Sequence, residues 1–155
     1  MRINISAIGK QIKPWMQEGI ESYLSRIPKG YTIHVDLIAP YKSNHKNQDS
    51  LVKEKEAEKL MASADKSEYW IALDCNGKQF SSEEWPKQLG KATEVNAIRF
   101  FIGGAYGLDA SLLQQCQSKW SLGKLTMPHG LARVVLIEQI YRSISLLQNH
   151  PYHKV

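Results

Sequence analysis

Glycines placed straight after apolar runs are the residues of this chain whose spacing first suggests chemistry. Gly103-Gly104-Ala105-Tyr106-Gly107 follows the run Ala97–Ile102 and precedes a helical stretch. Without a Cβ, such a loop turns tightly and lets a ligand approach main-chain N–H and C=O groups. A lone Gly-Gly pair serves equally well as a strand-to-helix turn that holds nothing. The motif lies late in the chain, is not G-x-G-x-x-G, and lacks the acidic residue that ends the next strand of a dinucleotide site. No G-K-S/T sequence occurs either, so nucleoside triphosphate binding is disfavoured. Ser121–Gly130 is a second candidate: rich in small residues, with Met127-Pro128 fixing the entry to a long helix. Its Leu122, Leu125 and Met127 suit the wall of a flat aromatic base, although the segment also reads as a plain helix-capping loop. Leu73-Asp74-Cys75-Asn76-Gly77-Lys78 is the third loop of the set.

Titratable side chains gather near the C-terminus. Glu138 and Arg142 interrupt the apolar face of the last helix at i,i+4, a spacing that favours a structural ion bridge over a catalytic pair. The sequence then ends Asn149-His150-Pro151-Tyr152-His153-Lys154-Val155. Rings that stack on bases beside a cation for phosphate make an RNA-facing cluster, and the alternative is a frayed tail. Cys75 and Cys116 belong to no C-x-x-C pair, which leaves two free thiols and neither a disulfide framework nor a zinc site.

The elements that must position these groups alternate along the chain. Strands are expected at Arg2–Ile8, Thr32–Ile38, Tyr69–Leu73, Ala97–Ile102 and Trp120–Leu122. Helices are expected from Pro14 to Leu24, from an Asp49 cap to about Ala64, after a Ser81 or Ser82 cap, over Leu108–Gln117 and over His129–Gln148. The Lys and Glu residues after Asp49 read as a salt-bridged solvent face, and Pro40–Gln48 as a polar, basic loop. Strand and helix in turn give an α/β domain with a mostly parallel sheet. Ligands of open α/β sheets sit outside the carboxyl ends of the strands, where the three loops would meet.

The 155 residues suit one compact domain, and 43% hydrophobic with 23% charged residues is ordinary for a soluble protein. No apolar run is long enough for a membrane span, and the N-terminus lacks the core of a signal peptide, so a cytoplasmic address is expected. The net charge of +5 is carried by both ends of the chain around an acidic middle. A polyanion-binding face and an ordinary solvated basic surface are both open readings of that pattern.

Several segments together resemble the bacterial ribosomal large subunit methyltransferase H family. They are Ile102-Gly103-Gly104-x-x-Gly107-Leu108, Trp120-Ser121-Leu122, Leu125-Thr126-Met127-Pro128-His129, Arg133-Val134-x-x-x-Glu138-Gln139-x-Tyr141-Arg142 and Asn149-His150-Pro151-Tyr152-His153. The resemblance covers essentially the whole chain, as a single domain over residues 1–155. It implies a SPOUT fold, α/β with helices on both faces of a mostly parallel sheet and a C-terminal trefoil knot over about residues 70–155. It implies S-adenosylmethionine as cofactor, held by Leu73, Gly103, Gly104, Gly123, Lys124, Leu125, Thr126, Met127 and Pro128. The implied reaction is methylation of N3 of a pseudouridine in 23S ribosomal RNA, on the ribosome, by a homodimer whose sites are completed by the partner subunit. No metal is expected. Arg142, His153 and His129 are the catalytic candidates, and Arg142, His150, Tyr152, His153 and Lys154 those for RNA contact. Two alternatives are a non-catalytic ribosome-binding protein with the same knot and a SPOUT methyltransferase acting on transfer RNA.

Overall fold

A computed structural model describes residues 1–10, 12–92 and 94–153, with residue 153 described through its backbone alone. The elements follow in the order β1 (Arg2–Ile8), α1 (Pro14–Leu24), β2 (Thr32–Ile38), α2 (Asp49–Ala62), β3 (Tyr69–Gln79) and α3 (Trp85–Ala92). They continue with β4 (Ala97–Ile102), α4 (Ala110–Gln115), β5 (Ser118–Ser121), α5 (His129–Leu147) and a 3-10 turn, Pro151–His153. The strands form one sheet in the order β2-β1-β4-β3-β5, every pairing parallel. Parallel neighbours need long crossovers, and the helices supply them on both faces.

Alternation along the strands divides the interior in two. Ile3, Ile5, Ile71, Ile98 and Phe100 face α1, α3 and α5, meeting Ile20, Trp85, Leu89, Leu136, Ile137, Ile140 and Ile144. Trp85 stacks on Phe100 at 6.3 Å between ring centroids and meets Trp120 edge-on at 4.9 Å. On the other face Trp70, Ala72 and Phe101 pack against Ala57 and Leu60 of α2 and Leu112 of α4. Arg99, inside the otherwise apolar β4, also points to that side. Its guanidinium bonds Glu68 Oε2 at 2.5 Å, Ser6 Oγ at 2.7 Å and Asp36 Oδ2 at 2.9 Å, so the buried charge is fully answered.

Local chemistry fixes several boundaries. Ser81 and Glu84 form a reciprocal capping box before α3: Glu84 N–H donates to Ser81 Oγ at 3.2 Å, and Ser81 N–H to Glu84 Oε2 at 2.7 Å. Asp109 caps α4 by accepting from Ser111 N–H at 3.1 Å. Asp49 opens α2 as an acidic first-turn residue; the cap position is Gln48, which makes no side-chain cap bond.

Two expectations are corrected here. β3 does not stop at Leu73: Leu73 and Lys78 both stand opposite Trp120, and pairing resumes at Gln79 and Ser121 after a register shift. Gly77 permits this return, since a Cβ there would lie 2.7 Å from the Trp120 carbonyl carbon. The second correction concerns α2, which is not a wholly solvated Lys/Glu face: Glu56 is 3% exposed.

Candidate active site

The connections from β1 and β4 leave in opposite directions, α1 leading toward β2 and α4 toward β5. Their carboxyl ends therefore open a crevice, and two adjoining cavities occupy this end of the sheet.

The first has a volume of about 330 Å3. Leu73, Asp74 and Cys75 of β3, residues of the turn after β4, and the segment from Ser121 to Met127 apart from Lys124 line it, closed by His129 and Ala132 at the start of α5. The three segments chosen from the sequence thus share one wall. Each has a local reason for its course. The turn after β4 is fastened by Gly107 N–H donating to the Gly104 carbonyl at 3.1 Å, with Gly107 at φ +80°. Ser121 Oγ both accepts from Gly123 N–H at 3.2 Å and donates to the Gly123 carbonyl at 3.0 Å, drawing the next turn tight. Gly104 faces Glu56, and a Cβ at this position would sit 2.7 Å from Glu56 Oε1 and 3.0 Å from Ile8 Cγ2.

Of the residues named for cofactor contact, Leu73, Gly103, Gly104, Gly123, Leu125, Thr126 and Met127 line this cavity, whereas Lys124 and Pro128 do not. Its apolar walls, joined to backbone that no side chain shields, fit an adenine ring with a polar tail. Leu125 is 81% exposed, an unusual place for a leucine and one that leaves an apolar edge at the mouth.

The second cavity, of about 280 Å3, lies at the crevice between β1 and β4. Ile8, Gly9, Pro40, Tyr41, Val52, Glu56 and Tyr106 line it, and it shares Gly104, Ala105 and His129 with the first. Burial raises the Glu56 carboxyl above its ordinary range, partly offset by the Tyr41 N–H and the charges of Lys59 and His129. Tyr41 N–H donates to Glu56 Oε2 at 3.1 Å, while Oε1 has no partner among the described residues. Arg133, 2% exposed, also keeps an unpartnered Nε, and burial lowers its pKa. Neither Glu56 nor Arg133 stood out in the sequence as a site residue. The available signal was a cation inside the apolar face of a long helix.

The remaining candidates lie elsewhere. Arg142 is nearly four helical turns beyond His129, about 20 Å at the usual rise per residue. Its Nε and Nη2 donate to Glu138 Oε1 at 2.9 and 2.6 Å, the ion bridge that the spacing suggested. Tyr152 is drawn into the same cluster, its hydroxyl donating to Glu138 Oε1 at 3.1 Å and lying in hydrogen-bond contact with Tyr23 Oη at 3.2 Å. The Arg142 guanidinium lies 5.1 Å from the Tyr152 ring centroid, and that of Arg26 5.5 Å from it. His150 is exposed; the side chain of His153 and the whole of Lys154 lie outside the described residues. Within one chain, then, His129 and Arg142 belong to separate places.

Among the described residues no three His, Cys, Asp or Glu side chains gather into a metal-binding group, and no helix is long and apolar enough to cross a membrane.

Fold and cavities define an open α/β protein with two cavities at the carboxyl ends of its parallel strands. A family model described as "Predicted SPOUT methyltransferase" matches residues 1–153. "Ribosomal RNA large subunit methyltransferase H" of Saccharophagus degradans is 38% identical over 156 residues, spanning 99% of this chain and 100% of the relative. The protein of the same name from Enterococcus faecalis is 38% identical over 160 residues, with 99% and 100% covered, and that from Legionella pneumophila (strain Paris) 36% over 155, with 99% of both. The chain belongs to the SPOUT methyltransferase family.

Proposed function

We propose that this protein methylates ribosomal RNA of the large subunit from S-adenosylmethionine, at N3 of a pseudouridine, as a cytoplasmic homodimer acting on the ribosome. The observation that carries this reading is the convergence of three distant segments on one cavity, in a chain whose relatives are named for that RNA. The trefoil knot implied by the family belongs to the same proposal, supported by β5 passing outside β3 before α5 returns over α1 and α3.

When bound, the cofactor supplies an electrophilic methyl group, so the residues of the chain have to orient, shield and manage a proton. Leu73, Leu122, Leu125 and Met127 would present apolar surface to the adenine, with Gly103 and Gly104 lining the same cavity. Closing the cavity against water strengthens each polar contact made inside it. The target nitrogen must lose a proton, and His129, which lines both cavities, is placed to accept it. Arg142 and the tail residues of a second copy orient the uracil ring, because their own cavity lies too far away along α5. Large apolar side chains left open on α1 and α5, Trp15 at 57% and Leu147 at 47%, favour such pairing of copies.

The test combines calorimetry with mass mapping. Purified protein should take up S-adenosylhomocysteine, and ribosomes from a strain deleted for the gene should gain one methyl on a large-subunit pseudouridine when protein and S-adenosylmethionine are added. No uptake of either form of the cofactor by folded protein ends the proposal.

A further inference from the structure

The second cavity is built for a ligand of its own. It sits at the strand-order switch between β1 and β4, where open α/β sheets receive ligands, and it meets the first cavity along Gly104, Ala105 and His129. Among its lining groups is a carboxylate oxygen, Glu56 Oε1, on a residue 3% exposed and without a partner at that atom among the described residues. A buried acceptor left unpaired is costly, and the bond from Tyr41 N–H answers only the other oxygen of this carboxylate. Arg133 lies behind this wall with its Nε unpartnered, and its Nη2 is so close to the lining residue Gly9 that a Cβ there would lie 2.6 Å away. Tyr41 and Tyr106 bring two rings to the walls, and Tyr106, 49% exposed, stands toward solvent. The loop leading away from Tyr41 exposes Lys42, His45 and Lys46, cations for a phosphate backbone. Two tyrosines on the lining, one buried N–H acceptor and a basic loop that continues from Tyr41 describe a pocket for an unstacked pyrimidine.

We infer that the second cavity is the target-base pocket and that Glu56 Oε1 accepts a ring N–H, which makes Glu56 the residue that tells pseudouridine from uridine. This rests on the methyltransferase reading above and supplies what that reading lacks, a source of base selectivity. With the ribose held and N3 turned across Gly104 and Ala105 toward the first cavity, the opposite ring edge carries N1–H in pseudouridine. In uridine the same edge carries C5–H, which leaves the carboxylate as unpaired as in the empty pocket. A site built to receive a hydrogen bond rejects an analogue that lacks it far more strongly than a merely apolar site does. Arg133, beside Gly9, adds positive charge near a ring whose carbonyl oxygens become more negative as N3 loses its proton.

The experiment compares large-subunit RNA fragments synthesised with pseudouridine or uridine at the target position. Wild-type protein is expected to favour pseudouridine by about tenfold or more in kcat/KM. In Glu56→Gln the Tyr41 N–H keeps the amide oxygen, so an NH2 donor faces the pocket and the preference should fall to about one, with S-adenosylhomocysteine affinity unchanged by calorimetry. Val52→Phe fills the pocket from a residue that touches only this cavity and leaves Glu56 in place. It should abolish the shifts that pseudouridine 5′-monophosphate induces in the Gly9 and Gly104 amide resonances, a readout independent of turnover. If Glu56→Gln retains the wild-type preference, or Val52→Phe leaves those shifts intact, the base-pocket assignment is wrong. A wild-type chain that binds no cofactor and methylates neither RNA would overturn the methyltransferase reading instead.

Discussion

Because Arg142 and His129 lie about 20 Å apart along α5, a variant lacking one group should be repaired by a partner lacking the other. Thr126→Trp blocks the first cavity from an exposed loop position and leaves the core untouched. Arg142→Ala removes the guanidinium that pairs with Glu138 and lies over Tyr152, and each variant alone should be inactive. In a two-fold dimer with sites completed across the interface, a mixed dimer holds one intact site and one doubly damaged site. Dimers isolated through two different affinity tags after co-expression should thus regain about half of wild-type turnover per dimer, since one of two equivalent sites is whole. Co-expressed material left unsorted should regain about a quarter, because only half of the dimers are mixed. Methyl transfer to ribosomes from tritiated S-adenosylmethionine provides the assay. Recovery indistinguishable from zero in sorted mixed dimers would show that Arg142 serves the cavity of its own chain, which the length of α5 forbids, and the composite site would have to be abandoned.

Other outcomes follow from the same geometry. Arg99→Met leaves Glu68 buried without its cation and should cost about 3 kcal/mol in chemical denaturation; a loss below about 1 kcal/mol would contradict the network described. Burial pulls the Glu68 carboxyl up, but the hydrogen bonds and charge of Arg99 outweigh it and hold the group below its ordinary 4.5. A depressed folded-state pKa contributes stability that is complete above the unfolded value and lost as pH falls through the folded one. Acid titrations of unfolding should therefore show a decline below pH 4.5 that Glu68→Gln reduces. Cys75 is exposed on the cavity lining, whereas burial pushes the Cys116 thiol up to about 12. Alkylation at mildly alkaline pH should stop at one equivalent, on Cys75, and S-adenosylhomocysteine should slow it; equal labelling of both thiols refutes this. Tyr152→Phe removes bonds to Glu138 and Tyr23 and should destabilise the protein by about 1 kcal/mol, with faster carboxypeptidase trimming as the readout.

The parts of the fold that local pattern dictates were legible from residue types. Apolar runs of strand length bounded by Gly and Pro marked β1, β2 and β4, and a Ser81 or Ser82 cap before two glutamates announced α3, with the structure selecting Ser81. The continuation of β3 through Asp74-Cys75-Asn76-Gly77-Lys78 was not, because it depends on Lys78 and Gln79 pairing again with β5, more than forty positions away. Long-range pairing of this kind leaves no periodic trace. The same distinction applies to the site. Glycine turns at strand ends can be read from sequence, and they line the first cavity. Glu56 cannot: among the alternating charges of α2 it looks like its solvated neighbours Lys55 and Glu58, and only the tertiary path of Gly104 reveals it as buried. Arg133 and the half-exposed Leu147 likewise exchange the places that hydropathy assigns to them.

The pairing of α1 with α5 also bears on how the molecule comes into being. The Met16 sulfur packs so near Gly130 that a Cβ there would lie 2.6 Å from it, so the first helix has its resting place on the last one. A nascent chain must carry Ile20 and its neighbours without their cover until nearly every residue has been synthesised. Chains cut short before α5 should be captured by chaperones or degraded, because α1 finds its cover only when α5 is present.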